Sequence, residues 1–141
     1  MKLVVDANIL VAELTRKRGR TLLTLGPELF IAEKPWDEAQ HELAKRFTAI
    51  AERTGASPES ATEQHTQAVQ LAEAYVQIVP QTYYVSFEKT ARRRVPRDPD
   101  DWHTVALALA LSADIWTQDG DFLGCGVATW TTDTLLMQLG G

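Results

Sequence analysis

The strand-like segments of this chain are apolar at successive positions. Leu3-Val4-Val5, Leu29-Phe30-Ile31 and Ile115-Trp116 lack the alternation of polar and apolar residues that marks a strand with one wet face. Such strands need cover on both sides, and segments with helical periodicity lie between them. That combination calls for an α/β fold: a three-layer α/β/α sandwich around a central parallel sheet. Residues 9–17 form a helix with a basic end, suited to a helix C-terminus. Pro35 opens a long helix with the apolar stripe Trp36, Ala39, Leu43, Phe47 and Ile50, which Gly55 ends. Ser57-Pro58-Glu59-Ser60 starts its hairpin partner, running to about Ile78.

The β-branched and aromatic residues 82–85 predict a third strand, and residues 87–94 a short basic helix that Pro96 stops. Asp100 is expected to cap an apolar helix over residues 102–111. Residues 114–117 and 127–130 read as further strands, and Thr131-Thr132-Asp133 caps a last helix, 134–139. There is no internal repeat, linker or low-complexity tract. With 141 residues, 45% of them hydrophobic, the expectation is one domain over residues 1–141.

A lone cysteine, Cys125, excludes an internal disulfide and fits a reducing compartment. Acids interrupt the opening KLVVDANILVAEL too early for a secretory signal, and no apolar run reaches the ~20 residues that span a bilayer. These features point to a cytoplasmic protein with no membrane partner. The net charge of −5 argues against indiscriminate phosphate binding, although basic clusters persist at Arg16-Lys17-Arg18 with Arg20 and at Arg92-Arg93-Arg94 with Arg97.

The acids carry the chemistry. In an open parallel sheet, function collects beyond the carboxyl ends of the strands. Asp6 follows the first strand, Asp119 and Asp121 follow the fourth, and Asp101 opens the helix leading into the fourth. Glu38 lies in the first turns of the helix after the second strand and reaches the same edge, although its helical wheel turns it away from the apolar stripe. Converging carboxylates raise one another's pKa unless a cation neutralises them. Oxygen ligands without a histidine or thiolate pair suit Mg²⁺ or Mn²⁺, ions that do phosphoryl chemistry.

Asp6-Ala7-Asn8-Ile9-Leu10, Glu38 followed by Leu43, Asp101 before an alanine- and leucine-rich helix, and Thr117-Gln118-Asp119-Gly120-Asp121-Phe122 together resemble the PIN domain. The resemblance spans nearly the whole chain. It implies a metal-dependent endoribonuclease acting on single-stranded RNA, of the kind found as the VapC-like toxin of toxin-antitoxin pairs. It further implies that Asp6, Glu38, Asp101 and Asp119 form the acidic quartet, with Asp121 as an additional acid and Asn8 and Thr117 as supporting hydrogen bonders. Asp6, Asp101 and Asp119 would hold the Mg²⁺ or Mn²⁺. Arg92, Arg93, Arg94 and Arg97 would then grip RNA phosphates. An antitoxin protein and a homodimer are the partners to expect. Trp102 and His103 after the third acid depart from many relatives, and Asp98 and Asp100 rival Asp101 for the metal.

Plainer readings exist for each residue. Asp6 suits a strand-end turn, Asp100 and Asp101 a helix start, Asn8 an N-cap, and Asp119-Gly120-Asp121 a solvated turn. His41, His65 and His103 share no spacing, and the tryptophans fall in apolar stripes. Two phosphoryl-handling rivals lack required residues. A haloacid-dehalogenase-like phosphatase needs an aspartate where Asn8 stands, and a response-regulator receiver needs an acidic pair at the first strand and a lysine after the last. The remaining alternative is a PIN-fold module that binds RNA or protein without catalysis.

Overall fold

The computed structural model describes residues 1–98 and 100–140. Its sheet has five parallel strands in the order β3-β2-β1-β4-β5. They are β1 (Lys2–Val5), β2 (Glu28–Ala32), β3 (Val76–Val79), β4 (Asp114–Trp116) and β5 (Thr129–Trp130). Eight α-helices accompany them among the described residues: α1 (Ala7–Leu14), α2 (Lys17–Leu23), α3 (Glu33–Thr54), α4 (Pro58–Tyr75), α5 (Gln81–Tyr84), α6 (Glu88–Arg94), α7 (Trp102–Leu111) and α8 (Thr132–Gln138).

Alternation along each strand divides the core into two layers. Leu3, Val5, Leu29, Ile31 and Trp116 face α1 to α4 and Leu135 of α8. Val4, Phe30, Ala32 and Ile115 face the other way, onto α7, Tyr84 and Ala91. Both faces of the central strands β1, β2 and β4 are therefore covered, as their apolar residues require. Helix α7 is buried from Trp102 through Ala108, because it lies between the sheet and the outer helices α5 and α6. The α3–α4 hairpin forms as expected, with Gly55 ending α3 at φ 76° and the Ser57 hydroxyl accepting from the Ser60 N–H to start α4.

Three expected elements are corrected. The third strand is not residues 82–85 but Val76–Val79, which runs straight out of α4 and pairs with Leu29–Ala32. Residues 82–85 instead belong to α5 and the 3₁₀ turn Val85–Phe87, with Tyr84 fully buried. The first helix stops at Leu14, and a second, α2, follows where only the basic end of the first was expected. Helix α2 packs closely on α1: a Cβ on Gly19 would collide with the Glu13 carbonyl oxygen. Asp100 does not cap α7; Asp101 occupies that position and makes no side-chain capping bond.

Candidate metal centre

The strand order reverses direction between β1 and β4: β2 and β3 lie on one side of β1, β4 and β5 on the other. Connecting helices leave the sheet in opposite directions at such a switch point, opening a crevice at the carboxyl ends of the two strands. Asp6 ends β1 and Asp119 follows β4, so both stand at that crevice. The Asp6 N–H donates to the Trp116 carbonyl, tying the two strand ends together.

Thr117 joins the acids. Its Oγ1 donates to Asp6 Oδ2 at 2.9 Å and accepts from the Asp119 N–H at 2.9 Å. Asp119 Oδ1 in turn accepts from the Asp121 N–H at 2.9 Å, which folds Gly120–Phe122 into a 3₁₀ turn and brings the Asp121 side chain back. Carboxylate oxygens of Asp101, Asp119 and Asp121 then lie within 4.8 Å of one another. Asp6 and Asp119 also line a cavity of about 240 Å³ with Asn8 and Gln118. Glu38 stands apart from the trio. It is exposed on α3 and lines a smaller cavity of about 130 Å³ beside Asn8.

The charges respond to this crowding. Burial, then Asp98, Asp119, Asp6 and Asp121, push the Asp101 carboxyl up to about 7. Burial also raises Asp6, and Asp119 adds to the effect, while the Thr117 hydroxyl and the N–H groups of Asn8 and Ala7 oppose it. Loss of water on its inward side raises Glu38, with Asp100 and Asp98 contributing and Lys34 opposing. Asp101 Oδ2 is buried and has no hydrogen-bond partner among the described residues. A buried, unpartnered carboxylate oxygen among like charges is costly in a metal-free protein. An all-oxygen donor set of this kind fits a hard divalent ion.

Among the three neighbouring aspartates, the geometry separates Asp101 from its rivals. Asp98 Oδ1 accepts from the Asp100 N–H at 2.9 Å, and Asp100 pairs with Lys34 Nζ at 3.4 Å. Only Asp101 joins the trio. Asn8 is the second residue of α1 rather than its N-cap, a position held by Asp6. His103 is buried, shares a 2.7 Å hydrogen bond with Tyr84 Oη and stacks on Trp102 at 3.9 Å.

The arginines divide. Arg92 pairs with Glu88 at 2.8 Å and lies 5.1 Å over the Trp102 ring, and Arg94 donates to the Cys125 carbonyl at 3.1 Å. Arg93 is exposed. Arg97 reaches the site itself, pairing with Asp121 at 3.2 Å. Sequence reasoning missed Gln118, whose Oε1 accepts from the Thr132 N–H, and Lys34. The cation in the first turn of α3 was the available signal for Lys34. Cavity size does not find this site: a cavity of about 830 Å³ lies at the β3 edge, among Tyr75, Ile78 and Tyr83.

A family model described as PIN domain matches residues 4–140. The chain belongs to the PIN domain family. Solved structures agree on the fold of this PIN domain. A toxin-antitoxin complex from Klebsiella pneumoniae matches at TM-score 0.59 and 18% identity, covering 86% of this chain and 91% of that one. PAE2754 from Pyrobaculum aerophilum matches at TM-score 0.67 and 19% identity, covering 99% and 89%. FitAcB from Neisseria gonorrhoeae matches at TM-score 0.57 and 17% identity, covering 92% and 96%. No curated protein matches the chain. Among the described residues, no helix of this PIN domain is long and apolar enough to cross a membrane.

Proposed function

We propose that this PIN domain is a Mg²⁺- or Mn²⁺-dependent endoribonuclease that hydrolyses phosphodiester bonds of single-stranded RNA. The observation that carries the proposal is the convergence of Asp101, Asp119 and Asp121 carboxylate oxygens within 4.8 Å of one another at the edge where β1 and β4 meet. Asp6, Asp101 and Asp119 would hold the ion. When bound, it supplies Lewis acidity toward a phosphoryl oxygen and lowers the pKa of a water. Thr117 keeps Asp6 oriented through the hydroxyl it donates. Glu38 and Asp121, at the rim, would orient the attacking water and take its proton, and Asn8 lines the approach between Glu38 and Asp6. The phosphate-gripping role falls to Arg97 and Arg93, since the fold itself engages Arg92 and Arg94.

A toxin partnered by an antitoxin protein is the biological setting that the Klebsiella pneumoniae complex supports. A homodimer and a cytoplasmic location complete the reading. Titrating Mn²⁺ while following the melting temperature and the cleavage of a labelled single-stranded RNA tests the proposal. At an ion concentration of 100 times Kd, binding adds about 2.7 kcal/mol to stability. We expect a rising melting temperature and cleavage that EDTA abolishes. An unchanged melting temperature through the millimolar range, with cleavage that resists EDTA, would sink the metal reading.

A further inference from the structure

We propose that Lys34 binds a backbone phosphate of the RNA strand beside the one being cut, which makes it a substrate-binding residue of this site. The assignment rests on the ribonuclease reading above and deepens it. Lys34 occupies the first turn of α3, immediately beyond the carboxyl end of β2. Glu38 follows one turn later on the same helix face, and the Lys34 charge opposes the rise in the Glu38 pKa. The ammonium thus stands at the acid edge, 3.4 Å from Asp100.

Stability does not account for a cation there. A positive charge in the first helical turn opposes the macrodipole, and an ion pair between half-exposed partners adds little. A local rule broken at a site edge points to function. The site also needs positive charge toward its substrate. Carboxylates surround it, and a polyanion approaching them is repelled even after a divalent ion enters.

The two cations at the edge differ in what they are holding. Arg97 pairs with Asp121, a member of the trio, so releasing it uncovers a charge within the cluster. Lys34 pairs with Asp100, which lies outside the trio and is 52% exposed. Asp100 rehydrates freely when Lys34 leaves it. Lys34 therefore exchanges a solvated carboxylate for a phosphate without disturbing the acids that would hold the ion.

The test compares wild type, Lys34→Gln and Lys34→Arg. Affinity for a labelled single-stranded oligoribonucleotide is measured against salt, with Ca²⁺ present to limit turnover, and the Mn²⁺-dependent melting shift is recorded for each protein. One lost phosphate contact lowers the slope of log affinity against log salt by about 0.7 for a single strand, so Lys34→Gln should show that fall with binding about five- to tenfold weaker. Lys34→Arg should keep wild-type slope and affinity, and all three should keep the Mn²⁺ response. Unchanged affinity and slope in Lys34→Gln, or loss of its Mn²⁺ response, would overturn the assignment. A wild type that binds no RNA would overturn the ribonuclease reading with it, whereas normal wild-type binding with an unaltered Lys34→Gln removes Lys34 alone.

Discussion

Among the described residues, two carboxylates, Glu13 and Asp101, each bury an oxygen that has no hydrogen-bond partner. Glu13 is the more buried, 1% exposed, and its surroundings are closed. Thr132 Oγ1 donates to Glu13 Oε1 at 3.1 Å and itself accepts from Trp116 Nε1, while Arg16 lies 3.7 Å away. The free oxygen looks onto Gly19, where a Cβ would stand 2.5 Å from it, so there is no room for a ligand. Asp101 has the opposite setting. Its carboxyl group gathers with those of Asp119 and Asp121, the charge of Asp6 also acts on it, and a cavity opens beside Asp6 and Asp119. Burial of a carboxylate oxygen alone therefore does not tell a closed structural acid from one gathered with other acids; the neighbouring groups do.

The largest expected effect lies on the Asp101 side. Asp6→Asn removes one charge from the cluster, and cleavage should fall at least about a hundredfold, the scale of several kcal/mol of transition-state stabilisation. The metal-free protein should nevertheless hold or gain melting temperature, because repulsion is relieved. A normal Mn²⁺ response in this variant would break the comparison. On the Glu13 side the sign reverses. Gly19→Ala forces a Cβ against the Glu13 backbone and should destabilise by about 1–3 kcal/mol in urea unfolding. Its Mn²⁺-dependent melting shift should persist, and a lost shift would mean that the two regions are one.

The acids also predict an unusual dependence on pH. Asp101 is raised in the folded state from 3.8 to about 7, so between those values the native protein binds more protons than the unfolded chain. Metal-free stability should then fall as pH rises from about 4 to about 7 and be fully present below that window. The raised Asp6 carboxyl acts in the same direction. Saturating Mn²⁺ should invert the trend, since the ion binds deprotonated ligands. Melting curves in EDTA and in Mn²⁺ across that range check it, and parallel curves would refute it. The smallest effect is reserved for Asp100→Asn. Its exposed pair with Lys34 is worth roughly 0–1 kcal/mol, so both melting temperature and Mn²⁺ response should stay near wild type.

Much of this was legible in the sequence, for reasons that also explain the failures. The strands buried on both faces, Leu3-Val4-Val5 above all, reveal their position because nothing else accounts for unbroken apolar residues. Asp6 and Asp119 could be placed at one edge because each follows a strand. Strand β3 was hidden because Val76–Val79 continues α4 without a turn residue, while Gln81–Tyr84 has strand-like composition and yet turns helical after Pro80. Pairing with β2 outweighs local preference there. The start of helix α2 reads as the basic end of α1; its packing depends on Gly19 fitting against Glu13, a contact that no periodicity encodes. The choice among Asp98, Asp100 and Asp101 likewise awaited three dimensions, since Lys34 from a distant helix takes Asp100 out of contention.

The hydrogen bond from Thr117 to Asp6 joins residues 111 positions apart, and β1, the first strand made, sits in the middle of the sheet. A ribosome builds roughly 5–20 residues per second, so Asp6 emerges many seconds before Thr117, Asp119 and Asp121 exist to meet it. Until the segment from β4 to Asp121 is synthesised, the acids have no common edge on which to gather. A fragment cut short by degradation before β4 therefore lacks the edge at which these acids gather.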